Sequence, residues 1–130
     1  MEEYARFFKV LGDATRLRII RLLLEVDREI CVCELVDALA LPKYTVSRHL
    51  SELRKIGLIR ERREGKWVLY SIERRGDNFK NLLFKAVMAI PDVYFEVDVE
   101  RLRIRLAMRK EGRCVVGLKR GGGNEHDALA

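Results

Sequence analysis

Residues 40–72 read ALPKYTVSRHLSELRKIGLIRERREGKWVLYSI, and their pattern decides the fold. At about 100° per residue, Val46, Leu50 and Leu53 share one helical face while Tyr44, Arg48, Ser51 and Lys55 share the opposite one. Such a helix packs by one side and offers hydrogen-bond donors on the other. Gly57 closes it, because a residue without a β-carbon takes the left-handed cap conformation easily. Ile59–Arg63 and Lys66–Ile72, rich in β-branched and aromatic residues, then predict two strands around a Glu64-Gly65 turn. An exposed helix followed by a basic hairpin has the layout of a winged helix-turn-helix, whose helix enters a DNA major groove while the wing follows the backbone. The expected class is mostly α with a β-hairpin wing, and dimeric.

Charge is distributed to match. Residues 1–41 carry 6 basic and 8 acidic side chains, residues 42–75 carry 10 and 4, and residues 76–130 carry 10 and 8. The excess of the net +6 therefore sits where a polyanion would be met. Arg48 is placed for a guanine edge, with Tyr44, Thr45, Ser47 and Ser51 nearby. Lys43, Lys55, Arg62, Arg63 and Lys66 are expected to neutralise phosphates of double-stranded DNA.

Upstream, Tyr4, Phe7, Phe8 and Leu11 recur at helical spacing and predict a first helix whose aromatic stripe serves core or dimer interface. Asp13 is placed to cap a second helix through Glu25, with Leu17, Ile20 and Leu24 inward and Arg18, Arg21 and Glu25 in water. A third helix is expected over about Val32–Leu39, and Pro42 suits the first position of the next. After the wing, Phe79, Leu82, Leu83, Ala86, Val87 and Ile90 predict an amphipathic helix ended by Pro91. Its apolar face needs a partner, which a second copy would supply. A last helix is expected over Val99–Lys110, begun by a capping Asp98 and stopped by Gly112. The domain reading is 1–92 for DNA binding and dimerisation, 93–116 for a C-terminal segment carrying Cys114, and 117–130 for a flexible tail opened by three glycines. No apolar run approaches the roughly 20 residues of a membrane span, and the acidic start is not a signal peptide. A cytoplasmic protein with no membrane partner is expected.

The chain contains three cysteines, Cys31, Cys33 and Cys114. An odd number without an export signal argues against a disulfide framework and for metal-binding or redox thiols. On a regular helix Cys31 and Cys33 would point about 160° apart. They can share an ion only where the helix start is irregular or unwinds, and unwinding would disturb the recognition helix behind it. Soft sulfur donors select soft ions, so arsenite or antimonite, pyramidal with up to three thiolates, fits best as an inducer ligand; no organic cofactor is expected.

Four segments, 11–19 (LGDATRLRI), 30–35 (ICVCEL), 45–50 (TVSRHL) and 63–70 (REGKWVLY), resemble the successive signatures of the ArsR/SmtB metalloregulators, in that family's order. The resemblance implies a repressor released from operator DNA by a metal or metalloid. It also implies that the first and post-wing helices form a dimer interface. Cys-Val-Cys followed by an acidic residue and Leu is similar to the family's arsenical site, where a third cysteine commonly follows three residues after the second. Val36 stands there, so Cys114, from the same or the other subunit, is the candidate third ligand. A two-thiolate site for a methylated arsenical is the alternative if Cys114 is structural. The zinc and nickel sensors of the family use His and carboxylates on the post-wing helix, and residues 79–90 contain neither. His49 is expected to pack or touch a phosphate. Two other readings stand beside this one: a thiol-redox regulator without metal, and a dithiol oxidoreductase, for which no base or phosphate loop lies near the thiols.

Overall fold

The computed structural model describes residues 1–115 and 117. The expected tail over 117–130 lies, but for Gly117, outside them. Helices α1 (Glu2–Leu11), α2 (Ala14–Val26), α3 (Val32–Leu39) and α4 (Lys43–Lys55) are followed by strands β2 (Ile59–Glu64) and β3 (Trp67–Ile72) and helix α5 (Asn78–Met88). A 3-10 turn, Asp92–Tyr94, leads into α6 (Glu96–Leu106). A two-residue strand, β1 (Ile30–Cys31), also pairs with β3, so the sheet has three antiparallel strands in the order β1-β3-β2. No helix among the described residues is long and apolar enough to cross a membrane.

Local chemistry sets most boundaries. Asp13 accepts the Arg16 amide at 3.0 Å and Asp77 accepts that of Lys80 at 3.0 Å, capping α2 and α5. Pro42 stands just before α4, at its N-cap, one position earlier than expected. Gly57, at φ 76°, turns the chain out of α4 into the wing. The wing's turn is Gly65-Lys66 and not Glu64-Gly65, since Glu64 pairs with Trp67. Gly65 takes the first central position at φ 59°, a backbone conformation that glycine adopts more readily than residues with a β-carbon.

Helix α2 corrects the amphipathic reading. Ile19, Ile20, Leu22 and Leu23 are all fully buried, because α2 meets α1, α3, α4, α5, α6 and β3. Arg21, expected in water, is 1% exposed. Its guanidinium lies under the Phe95 ring and is satisfied by Glu25, Asp92 and the carbonyls of Val87 and Ile90. Arg18 is drawn inward too, bonding Asp98 at 2.7 and 2.8 Å and the Leu39 carbonyl at 3.0 Å. The last helix accordingly runs Glu96–Leu106 and not Val99–Lys110: Asp98 lies inside its first turn bonded to Arg18 and does not cap it, and the helix ends well before Gly112. Beyond α6, Lys110 and Arg113 pair across Glu111 and Gly112, at φ 54° and 73°, reversing the chain toward α3.

Truncating Arg21 takes the guanidinium from the Ile90 carbonyl, Glu25 and Asp92, and leaves a void under Phe95. Arg21→Ala should cost about 3 kcal/mol in urea unfolding, against less than about 0.5 kcal/mol for the exposed Arg103→Ala. Equal losses in the two variants would refute the role given to Arg21.

Candidate thiol centre and nucleic-acid interface

Two stretches of chain, the β1–α3 junction and the reversal after α6, deliver the cysteines to one point. Cys31 ends β1 in extended conformation, φ −82° and ψ 157°, and stands outside α3, whose helical residues begin at Val32. The anticipated divergence along a regular helix therefore does not arise, and no unwinding is needed to bring the pair together. The Sγ of Cys31 lies 3.2 Å from that of Cys33 and 2.7 Å from that of Cys114, and Cys33 and Cys114 are 3.6 Å apart. None is in a disulfide, and all are buried, with Trp67 and Leu69 of the wing packed against them.

Buried charge positions the third sulfur. Glu34 is fully buried; it accepts the Cys31 amide at 3.0 Å and both arms of the Arg109 guanidinium at 2.7 and 2.8 Å. Arg109 also donates to the Glu29 carbonyl at 2.7 Å, and Arg105 bonds Asp37 at 2.6 Å and the Gly117 carbonyl at 2.7 Å. These two arginines bracket the reversal that brings Cys114 back. Thiol bonds donated by Cys31 and Cys33, with the two guanidinium charges nearby, pull the Cys114 thiol well below its ordinary range. The bond to Cys114 pushes both Cys33 and Cys31 upward.

The second surface is built on α4 and the wing. Val46, His49, Leu50 and Leu53 face the core, and His49 accepts a bond from Arg16 Nε at 3.0 Å through Nδ1. Burial lowers its pKa, which fits a neutral packing residue. Tyr44 is 74% exposed, with the Arg48 guanidinium 5.4 Å from its ring centre. Lys43, Thr45, Ser47 and Ser51 flank them, half-buried, and Lys55 is exposed beside Glu52 at 3.4 Å. On the wing Arg63 and Lys66 are exposed, Lys66 over Trp67. Arg62 differs: it is bidentate to Glu29 at 2.7 Å and bonds Glu64 at 3.1 Å, on the sheet face it shares with Leu69. Among the described residues no carboxylate pairs with Arg48, Arg63 or Lys66.

Sequence reasoning did not find Glu34, Arg105, Arg109 or strand β1. Glu34 had a local signal, an acidic residue three positions after the helix cap, which is capping-box spacing. The arginines had none, because their partners lie 68 and 75 residues away.

Known proteins resemble this chain in sequence and in fold. The family model described as "Bacterial regulatory protein, arsR family" matches residues 13–61. The arsenic resistance transcriptional regulator ArsR1 of Pseudomonas putida is 38% identical over 95 residues, 73% of this chain and 73% of that protein. The arsenical resistance operon repressor of Escherichia coli is 48% identical over 67 residues, 52% of this chain and 56% of the repressor. Among solved structures, reduced HlyU from Vibrio cholerae superimposes with a TM-score of 0.58 at 26% identity, over 69% of this chain and 92% of HlyU.

Breaking the Glu34–Arg109 pair should free the end of the chain without melting the core. In Arg109→Ala, amide hydrogen exchange over residues 107–115 should accelerate about tenfold or more, while that of α2 and α4 stays as it was. Unchanged exchange over 107–115 would show that the pair does not hold Cys114 in place.

Proposed function

The chain belongs to the ArsR family of bacterial regulatory proteins, and from that premise we propose that it is a transcriptional repressor that binds double-stranded operator DNA as a homodimer and leaves it when trivalent arsenic or antimony binds Cys31, Cys33 and Cys114. The observation that carries this reading is the convergence of the three sulfurs, all within 4.8 Å of one another, in a winged helix-turn-helix. Three buried soft donors arranged as a triangle suit a pyramidal thiophilic ion, which binds the thiolates from one side. A site formed within one chain supports Cys114 as the third ligand over a two-thiolate centre. The relatives named for arsenic resistance support the same ion class.

The DNA surface consists of Lys43, Tyr44, Thr45, Ser47, Arg48, Ser51 and Lys55 on α4 with Arg63 and Lys66 on the wing. Arg48 reads a base edge and the lysines meet phosphates. Arg62 reaches phosphate only by leaving Glu29, so its charge serves to join the wing to β1 as well. The homodimer is supported by apolar side chains left exposed on α1 and α5, Tyr4, Phe8, Leu82 and Met88. Two of them, Tyr4 and Phe8, stand edge-on to Phe79 of α5, so the two helices already share one aromatic face.

Release follows from two mechanical connections. Cys31 pairs opposite Leu69 in the sheet, so a ligand that resets its position pulls on the root of the wing. Cys33 stands in the first turn of α3, which packs on α4. An ion replaces S–H···S bonds with its own fixed angles, and both DNA-contacting elements feel the change.

A second reading has its own support. The 2.7 Å approach of Cys31 and Cys114 places two thiols where oxidation to a disulfide needs little movement, and a solved relative is described in a reduced form. Peroxide-driven release with indifference to arsenite would favour it.

The test is a titration of arsenite, antimonite, cadmium and zinc into the protein bound to an operator selected from a random duplex pool. Arsenite or antimonite should empty the operator, and Cys31→Ser, Cys33→Ser and Cys114→Ser should each blunt the response at least about tenfold in ligand concentration. A full response in all three variants would sink the assignment. On the DNA side, Arg48→Ala should erode discrimination between operator and random duplex by about 1–3 kcal/mol, whereas Lys66→Ala should weaken both alike and flatten the salt slope by about one. Equal losses on both duplexes from Arg48→Ala would contradict that division.

A further inference from the structure

The sulfur triangle is open from one direction. Cys31 and Cys33 are fully enclosed, and Cys114 is the sulfur that lines a groove of about 940 Å³ between the wing and the reversal after α6. That volume is many times what one ion and its three bonds occupy. The groove walls carry Arg28, Arg62, Lys66, Arg109 and Arg113 against Glu29, Glu64 and Glu111, around an apolar floor of Trp67 and Leu69. Arg109 is committed to Glu34, and Arg62 to Glu29 and Glu64. Among the described residues Arg28, Lys66 and Arg113 have no carboxylate partner, and the groove lining carries five basic side chains against three acidic ones.

Trivalent arsenic and antimony exchange thiolate ligands readily, and in a medium rich in small thiols they travel as thiolate complexes. Resting on the ligand set above, we propose that this groove docks the metalloid as its complex with a small carboxylate-bearing thiol, and that Cys114 is the first protein sulfur to enter the ion's coordination sphere. Cys114, the sulfur that faces the groove, forms one metalloid–sulfur bond, and one small thiolate departs with whatever proton Cys114 held. Cys33 and Cys31 then each form a bond, and their protons leave on the second and third departing thiolates. The metalloid stays trivalent throughout, so no oxidant or reductant is needed. The basic walls hold the carboxylates of the carrier while the ion is passed inward.

The sole tryptophan, Trp67, packs on the cluster and reports transfer by its fluorescence. Stopped-flow mixing of the full chain with arsenite bound by mercaptosuccinate, an anionic thiol, or by mercaptoethanol, a neutral one, compares the two carriers directly. At low salt the anionic carrier should deliver about tenfold faster, an advantage of the size electrostatic steering gives and one that shrinks as ionic strength rises. In Arg28→Ala/Arg113→Ala the difference between carriers should largely vanish, and in Cys114→Ser the earliest phase should disappear for both. Equal rates for the two carriers in the unaltered protein, or a preference that survives the double substitution, would overturn the docking proposal while leaving the ligand set intact. No transfer from either carrier would overturn both.

Discussion

One carboxylate ties the thiol centre to the fold. Glu34, fully buried at the start of α3, holds the Cys31 amide and the Arg109 guanidinium together, and so links the end of β1, the first turn of α3 and the chain that follows α6. A buried pair of this kind adds little net stability over an apolar substitute, because the cost of desolvation offsets much of the attraction. Its effect is on position. Apolar faces can slide past one another at small cost, whereas a bidentate ion pair is satisfied in one register. Asp98 with Arg18 and Asp37 with Arg105 repeat the device along the packing of α6 on α2 and α3. Three pairs in series leave α6 one way to lie, and Cys114 follows from it.

That dependence explains which parts of the structure were legible in the sequence. Elements whose signals are local were readable: the cap Asp13, the amphipathic stripe of α4, the span Val32–Leu39 and the two wing strands. The wing turn was misplaced by one residue because Glu64-Gly65 and Gly65-Lys66 both offer a glycine, and only the pairing of Glu64 with Trp67 distinguishes them. Arg18 and Arg21 were assigned to water because arginine usually is there; their acceptors, Asp98, the Leu39 carbonyl and the carbonyls at the end of α5, lie far away in the chain. Strand β1 is two residues long, too short to show alternation. The thiol pair was legible as chemistry, and its geometry only as a condition, an irregular helix start, which the extended Cys31 ahead of α3 meets.

The extended cap changes what a ligand has to do. Were the pair on one regular helix, binding would have to unwind a turn, and much of the binding free energy would be consumed by that distortion. Here the sulfurs already stand 2.7–3.6 Å apart, so the ordering of both chain segments has been accomplished during folding. A preformed site favours tight binding, and it also limits how far the protein can be moved by it. A ligand shifts an equilibrium only by the difference in its affinity for the two states. The coupling must therefore reside in small displacements at a place where the DNA surface is sensitive to them.

The sheet supplies such a place. Cys31 pairs with Leu69, Leu69 with Arg62, and Arg62 with Glu29, which closes a ring back to the residues preceding Cys31. Trp67 covers the thiols on one side and carries Lys66 against its ring on the other. A shift of a few tenths of an ångström at Cys31 is carried across two rungs of hydrogen bonds to the strand that bears Arg63. The route through α3 to α4 is softer, because it crosses apolar contacts between helices joined by the turn at Leu41-Pro42. In the proposed repressor the wing, held to the thiol centre by paired backbone and paired charge, would be the stiffer transmission, with the recognition helix joined to it through the shared core at Leu53, Leu58 and Ile59.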